Sequence, residues 1–93
     1  MTTWTAQSTV LRARDVAWRA FDGEVALVHP ATGQLRTLNE VGARIWQLAD
    51  GRPFEALVTE LLNEFDVDRT SLEADVRAFL DDLTARGMLS PPP

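Results

Sequence analysis

Apolar residues along this chain first follow a short-period, strand-like pattern and then recur at helical spacing, with the change near residue 39. Val16-Ala17-Trp18-Arg19-Ala20-Phe21 and Glu24-Val25-Ala26-Leu27-Val28-His29 are rich in residues that suit a pleated surface. Asp22-Gly23 separates them, and a two-residue turn of the primed type needs the positive φ that Asp-Gly tolerates. Pro30-Ala31-Thr32-Gly33 makes a second turn, and Gln34-Leu35-Arg36-Thr37-Leu38 reads as a third strand. The pattern predicts a three-stranded antiparallel meander whose last strand ends the sheet, with one row of backbone donors and acceptors unpaired.

Beyond Asn39, a good N-cap, a helix is expected over Glu40–Ala49, with Val41, Ile45, Leu48 and Trp46 at helical spacing. Gly42 inside it costs about 1 kcal/mol against Ala, which predicts close approach to another backbone. Asp50-Gly51 stops this helix, and Pro53 suits the first turn of a second, with Leu57, Val58, Leu61, Leu62 and Phe65 on one face. Asp66-Val67-Asp68 breaks that helix. A third runs from about Thr70 to Arg86, capped by Asp68 or Thr70, with Leu72, Val76, Phe79, Leu80 and Leu83 as its stripe. Gly87 ends it, and Met88-Leu89 can fold back on the core. Residues 1–14 show no period, which predicts a flexible or loosely docked arm bearing Trp4. Ser90-Pro91-Pro92-Pro93 reads as a frayed tail. The expected fold is α+β and winged helix-turn-helix-like: a three-stranded antiparallel sheet followed by three helices, in one domain over residues 15–89.

Composition narrows the function classes. The 93 residues have room for one modest core. No apolar stretch approaches the roughly 20 residues needed to cross a bilayer, and no basic segment precedes an apolar block. Cysteine is absent, which removes disulfides, thiolate nucleophiles and cysteine metal sites and fits a cytoplasmic location. The formal net charge of −5 argues against a nucleic-acid partner, whose phosphates need Lys and Arg.

Residues that could carry catalytic or metal chemistry are few. His29 is the sole histidine, and without a second His or a Cys it builds no usual metal site. Ser8, Ser71 and Ser90 lie in the arm, at a helix start and in the tail, so no catalytic triad is visible. The carboxylates Glu55, Glu60, Glu64, Glu73, Asp75, Asp81 and Asp82 read as solvated helix faces. The five glycines are scattered and form no phosphate loop. Trp46 reads as core; Trp18 fits either the core or cover for a sheet face. No cofactor, metal or catalytic residue is expected.

Leu38-Asn39, Gly42-Ala43, Ile45-Trp46 and Asp50-Gly51 together resemble a pattern of the PqqD-like family. Leu72-Glu73-Ala74-Asp75-Val76, then Phe79-Leu80-Asp81-Asp82-Leu83 and Gly87-Met88-Leu89, resemble the final helix of the same family. The resemblance covers about residues 14–89. The namesake's tyrosine-proline-glutamate segment is replaced by Leu27-Val28-His29-Pro30, which points away from pyrroloquinoline quinone biosynthesis itself and leaves the broader role.

The resemblance implies a precursor-peptide recognition element. A leader peptide would lie as an added strand along the third strand, in a cleft walled by the third helix, and be presented to a modifying enzyme such as a radical SAM enzyme or a leader peptidase. Relatives serve lasso-peptide pathways. An exposed strand suits this mode, because main-chain hydrogen bonds give affinity and alternate pockets give specificity. The expected peptide-binding residues are Gln34, Leu35, Arg36, Thr37 and Leu38 on the strand and Asp75, Val76, Phe79, Asp82 and Leu83 on the helix. Arg36 would meet a leader carboxylate, and Asp75 or Asp82 a basic group. Against this, Val76, Phe79 and Leu83 would equally fill a core, and Arg36 would equally guard an edge strand. The competing function is a winged-helix DNA-binding regulator. A homodimer through the open edge or the arm is a further option.

Overall fold

The structure, a computed structural model, describes residues 4–91. Its elements are β1 (Thr9–Leu11), β2 (Ala17–Phe21), β3 (Glu24–His29), β4 (Gln34–Asn39), α1 (Glu40–Leu48), β5 (Asp50–Pro53), α2 (Phe54–Glu64) and α3 (Arg69–Ala85). The expected meander is present: β2, β3 and β4 form an antiparallel sheet in that order. Asp22 and Gly23 both hold positive φ, 48° and 77°, as the tight β2–β3 turn requires. Val25, Leu27 and Leu38 point from the sheet into the core. There they meet Ile45 and Trp46 of α1, Leu57, Val58 and Leu61 of α2, and Val76, Leu80 and Leu83 of α3. Met88 and Leu89 fold back into the same core.

Residues 4–14 differ from the loose arm expected. Trp4 is 2% exposed, and its indole Nε1 donates to Asp81 at 2.9 Å. Arg77 donates from Nε to the Trp4 carbonyl at 3.1 Å and stacks its guanidinium 4.8 Å from the Phe54 ring. Further along, β1 pairs antiparallel with β5, a strand that the Asp50-Gly51 stop gave no hint of. The reason is local backbone demand. Pro53 offers α2 no side-chain cap, so the amides of Phe54 and Glu55 donate instead to the carbonyls of Ser8 and Ala6, at 2.7 and 2.9 Å. Arg12 serves the other end of α1, where Nη1 donates to the carbonyls of Trp46 and Gln47, each at 3.0 Å. Its guanidinium also lies 5.2 Å from the Trp18 ring, which packs edge-on to Trp46 with centroids 6.2 Å apart.

Three smaller differences follow. Asn39 holds the N-cap position of α1 but makes no capping bond, and Glu40 has φ of 35°, a left-handed value that costs a non-glycine residue about 1 kcal/mol. Asp68 does cap α3, accepting from the amide of Ser71 at 3.0 Å. At the chain's end the amide of Ser90 donates to Leu11, so the expected tail is held at its first residue. Met1–Thr3 of the expected arm and Pro92–Pro93 of the expected tail lie outside the described residues.

Two predictions arise from this scaffold. Trp4→Ala should lower unfolding stability by about 3 kcal/mol in urea titrations, whereas a loosely docked residue would change it by less than about 0.5 kcal/mol. The Arg52 guanidinium, which donates to both oxygens of Asp50, holds that carboxyl down at about 2 against an ordinary 3.8. A depressed folded value means that its stabilising contribution is complete above the ordinary value and is lost as pH falls toward 2. Asp50 is substantially exposed, so the contribution is small. A carboxyl carbon titration should show the Asp50 midpoint near 2, returning toward the ordinary carboxylate range in Arg52→Gln.

Candidate functional site

An edge strand beside a groove defines the site. β4 pairs with β3 over its whole length, from Glu24 opposite Asn39 to His29 opposite Gln34, and with no other strand among the described residues. Its far side therefore offers unpaired backbone donors and acceptors. Alternation then sorts its side chains. Gln34, Arg36 and Leu38 share the inner face with Leu27 and Val25. Leu35 and Thr37 face outward, and Leu35 is 67% exposed beside Val28.

Two adjoining cavities lie beside this strand. One, of about 340 Å³, opens between α1 and α3 and is mostly apolar, lined by Val41, Gly42, Ile45, Leu72, Val76 and Phe79, with Asp75 at its polar margin. The second, of about 300 Å³, abuts β4 and is lined by Glu24, Arg36, Thr37, Leu38, Asn39 and again Gly42 and Phe79. Gly42 and Phe79 are the shared wall. A β-carbon on Gly42 would lie 3.2 Å from Phe79 Cε1 and 3.6 Å from Leu38 Cβ. The glycine thus answers to an aromatic ring rather than to the neighbouring backbone expected of it.

Arg36 is held across the cleft. Its Nη2 lies 2.9 Å from Asp82 Oδ2, so β4 and α3 are bridged by an ion pair. Arg86 Nε reaches both oxygens of the same carboxylate at 3.2 Å. Arg36 Nε is buried and without a partner.

The expected site residues divide accordingly. Gln34, Leu35, Arg36, Thr37 and Leu38 all sit on the open edge strand, although Leu38 is itself buried in the core. Asp75, Val76 and Phe79 line the groove, although Val76 is itself fully buried in the core. Asp82 does not wait for a basic group, since two arginines of its own chain already hold it. Leu83 is fully buried and lines neither cavity; its place one turn beyond Phe79 turns it inward to the core. Outside the expected site were Val41, Gly42, Ile45, Leu72, Glu24 and Asn39. The helix-internal glycine was the available signal for the first three.

α3 is poorly furnished as a reader of phosphates. Arg69 pairs with Glu73 and Arg86 with Asp82, while Arg77 is spent on Trp4 and Phe54. Among the described residues no cluster of His, Cys, Asp and Glu could hold a metal ion, and no helix is long and apolar enough to cross a membrane.

Comparison with known proteins bears on this geometry. The family model for coenzyme PQQ synthesis protein D matches residues 24–89, from the start of β3 to the segment after α3. No curated protein sequence matches. Two solved structures are similar. TbiB1 in complex with the TbiA(beta) leader peptide is 36% identical, with 86% of this chain and 94% of that one covered and a TM-score of 0.82. A lasso peptide synthetase B1 complexed with its leader peptide is 27% identical, with 86% and 95% covered and a TM-score of 0.76. Family match, fold and open-edge architecture agree: this chain belongs to the PqqD family.

Proposed function

We propose that this protein is a non-catalytic adaptor that binds the leader segment of a ribosomally made precursor peptide by strand addition to β4 and presents it to a modifying enzyme. The observation that carries the proposal is the unpaired edge of β4 lying beside a groove, in a fold whose similar solved structures are both leader-peptide complexes. The physical division of labour is simple. Main-chain bonds along β4 each contribute about 1 kcal/mol net and ask little of the guest's sequence. The apolar cavity at Val41, Ile45, Val76 and Phe79 selects which side chain the guest may bury.

The adaptor itself carries out no reaction in this reading. The modifying enzyme is a leader peptidase or another maturation enzyme, a radical SAM enzyme among them, and the complex works in the cytoplasm where the precursor is made. The likeness to two lasso-type proteins, together with the Leu27-Val28-His29-Pro30 departure, favours a lasso-type pathway over the quinone pathway. Self-association through the β4 edge would compete with the leader, so the working form is a monomer or a dimer that leaves β4 free. DNA binding gains no support, given an acidic chain and the engagement of Arg69 and Arg77 in α3 and of Arg86 just beyond it.

Titration of the isotope-labelled chain with the leader that TbiB1 binds, or with the leader of a precursor encoded beside this chain, should shift the amides of residues 34–38 and of Asp75 to Phe79. Unmoved amides there at millimolar peptide would reject the site. Gly42→Ala should change stability by less than about 1 kcal/mol, since helix propensity gained offsets crowding against Phe79. The added methyl and the displaced ring would reshape the wall that both cavities share, and leader affinity measured by fluorescence anisotropy should fall by about threefold to tenfold.

A further inference from the structure

Along the β4 berth two cations share one carboxylate. Two guanidiniums, Arg36 from β4 and Arg86 from the end of α3, share the single carboxylate of Asp82. Arg36 gains only one ion-pair contact from it, through Nη2, and keeps a buried Nε with no acceptor. A buried donor without a partner costs about 1–3 kcal/mol, so the arrangement is unsatisfied as it stands. Glu24 borders the same cavity as Arg36, yet no ion pair joins them among the described residues. The Arg36 side chain is 30% exposed and lies on the inner face, where the side chain of an added strand would come alongside it.

We propose that the peptide seated on β4 carries a carboxylate, from Asp or Glu, at the position facing Arg36, and that this group takes Arg36 over from Asp82 and leaves Asp82 to Arg86. The inference rests on the strand-addition reading and names the chemistry that the berth selects. Charge count favours an acid over a base. A guest carboxylate would make two anions for two cations, whereas a guest Lys or Arg would add a third cation to one anion that is already shared. Geometry favours it as well. A planar guanidinium offers parallel donors that match a carboxylate fork, and the Nε and Nη2 edge of Arg36 is only half used. Asp82 is thereby a placeholder: it keeps the cation in position while the berth is empty.

The test is a selection of displayed random 14-residue peptides on the full chain, with the TbiA(beta) leader as a second probe. Amide shifts at residues 34–38 establish where each selected peptide binds. Peptides bound at β4 should be enriched in Asp or Glu at one position. Replacing that acid by Gln should weaken binding about fivefold to tenfold in wild type and hardly at all in Arg36→Gln. Arg36→Glu should turn the enrichment toward Lys and Arg. Asp82→Asn, which removes the competing anion and leaves Arg36 in place, should bind acidic peptides more tightly than wild type does. Peptides that bind at β4 without an acidic position, or whose acid preference survives in Arg36→Gln, would overturn this inference and leave the adaptor reading intact. Failure of every peptide and of the leader to perturb β4 would overturn both.

Discussion

A strand that must keep one hydrogen-bonding edge vacant has to be immobilised by everything else around it, and β4 is. Its other edge is zipped to β3 without a register slip. Leu38 anchors it in the core, Arg36 ties it to α3, and its last residue runs directly into α1 through the left-handed Glu40. Rigidity matters because an edge that had to order itself on binding would spend the gain from each new hydrogen bond on its own lost freedom. The groove inherits this rigidity. Phe79, which divides it, is backed by Gly42 on a helix whose start is fixed by the end of the same strand.

The ion pair between β4 and α3 adds a second constraint. Arg36 projects from the inner face of a sheet, where an unpaired guanidinium would be expensive. Asp82 relieves that cost only in part, because Arg86 draws on the same oxygens. A cleft wall that is electrostatically incomplete when empty is a means of preferring one guest over another. The unfavourable state belongs to the free protein and is removed by the right partner.

The sheet and the three helices were legible because their signals are local. Asp22-Gly23 specifies its turn by backbone conformation, and the stripe from Leu72 to Leu83 follows one period. The strand half of the candidate site was legible for the same reason, since a terminal strand of a meander is an edge by construction. What escaped the sequence is long-range. β1 and β5 are three and four residues long, bear no alternating pattern, and exist because α2 needs acceptors for its first amides and the N-terminal segment supplies them. Trp4 reads as a lone aromatic in a polar arm until Asp81, Arg77 and Phe54 come to it from far along the chain. Leu83 could not be told from Phe79 by spacing alone. A turn of α3 separates a groove residue from a core residue, and only the packing of α1 decides which is which.

The pairing of Arg12 with Leu89, and of Ser90 with Leu11, brings the two ends of the domain side by side. Neither segment lines the cavities next to β4. A segment attached beyond Ser90 would leave the fold beside Leu11, from residues that line neither cavity. The architecture is that of a portable module.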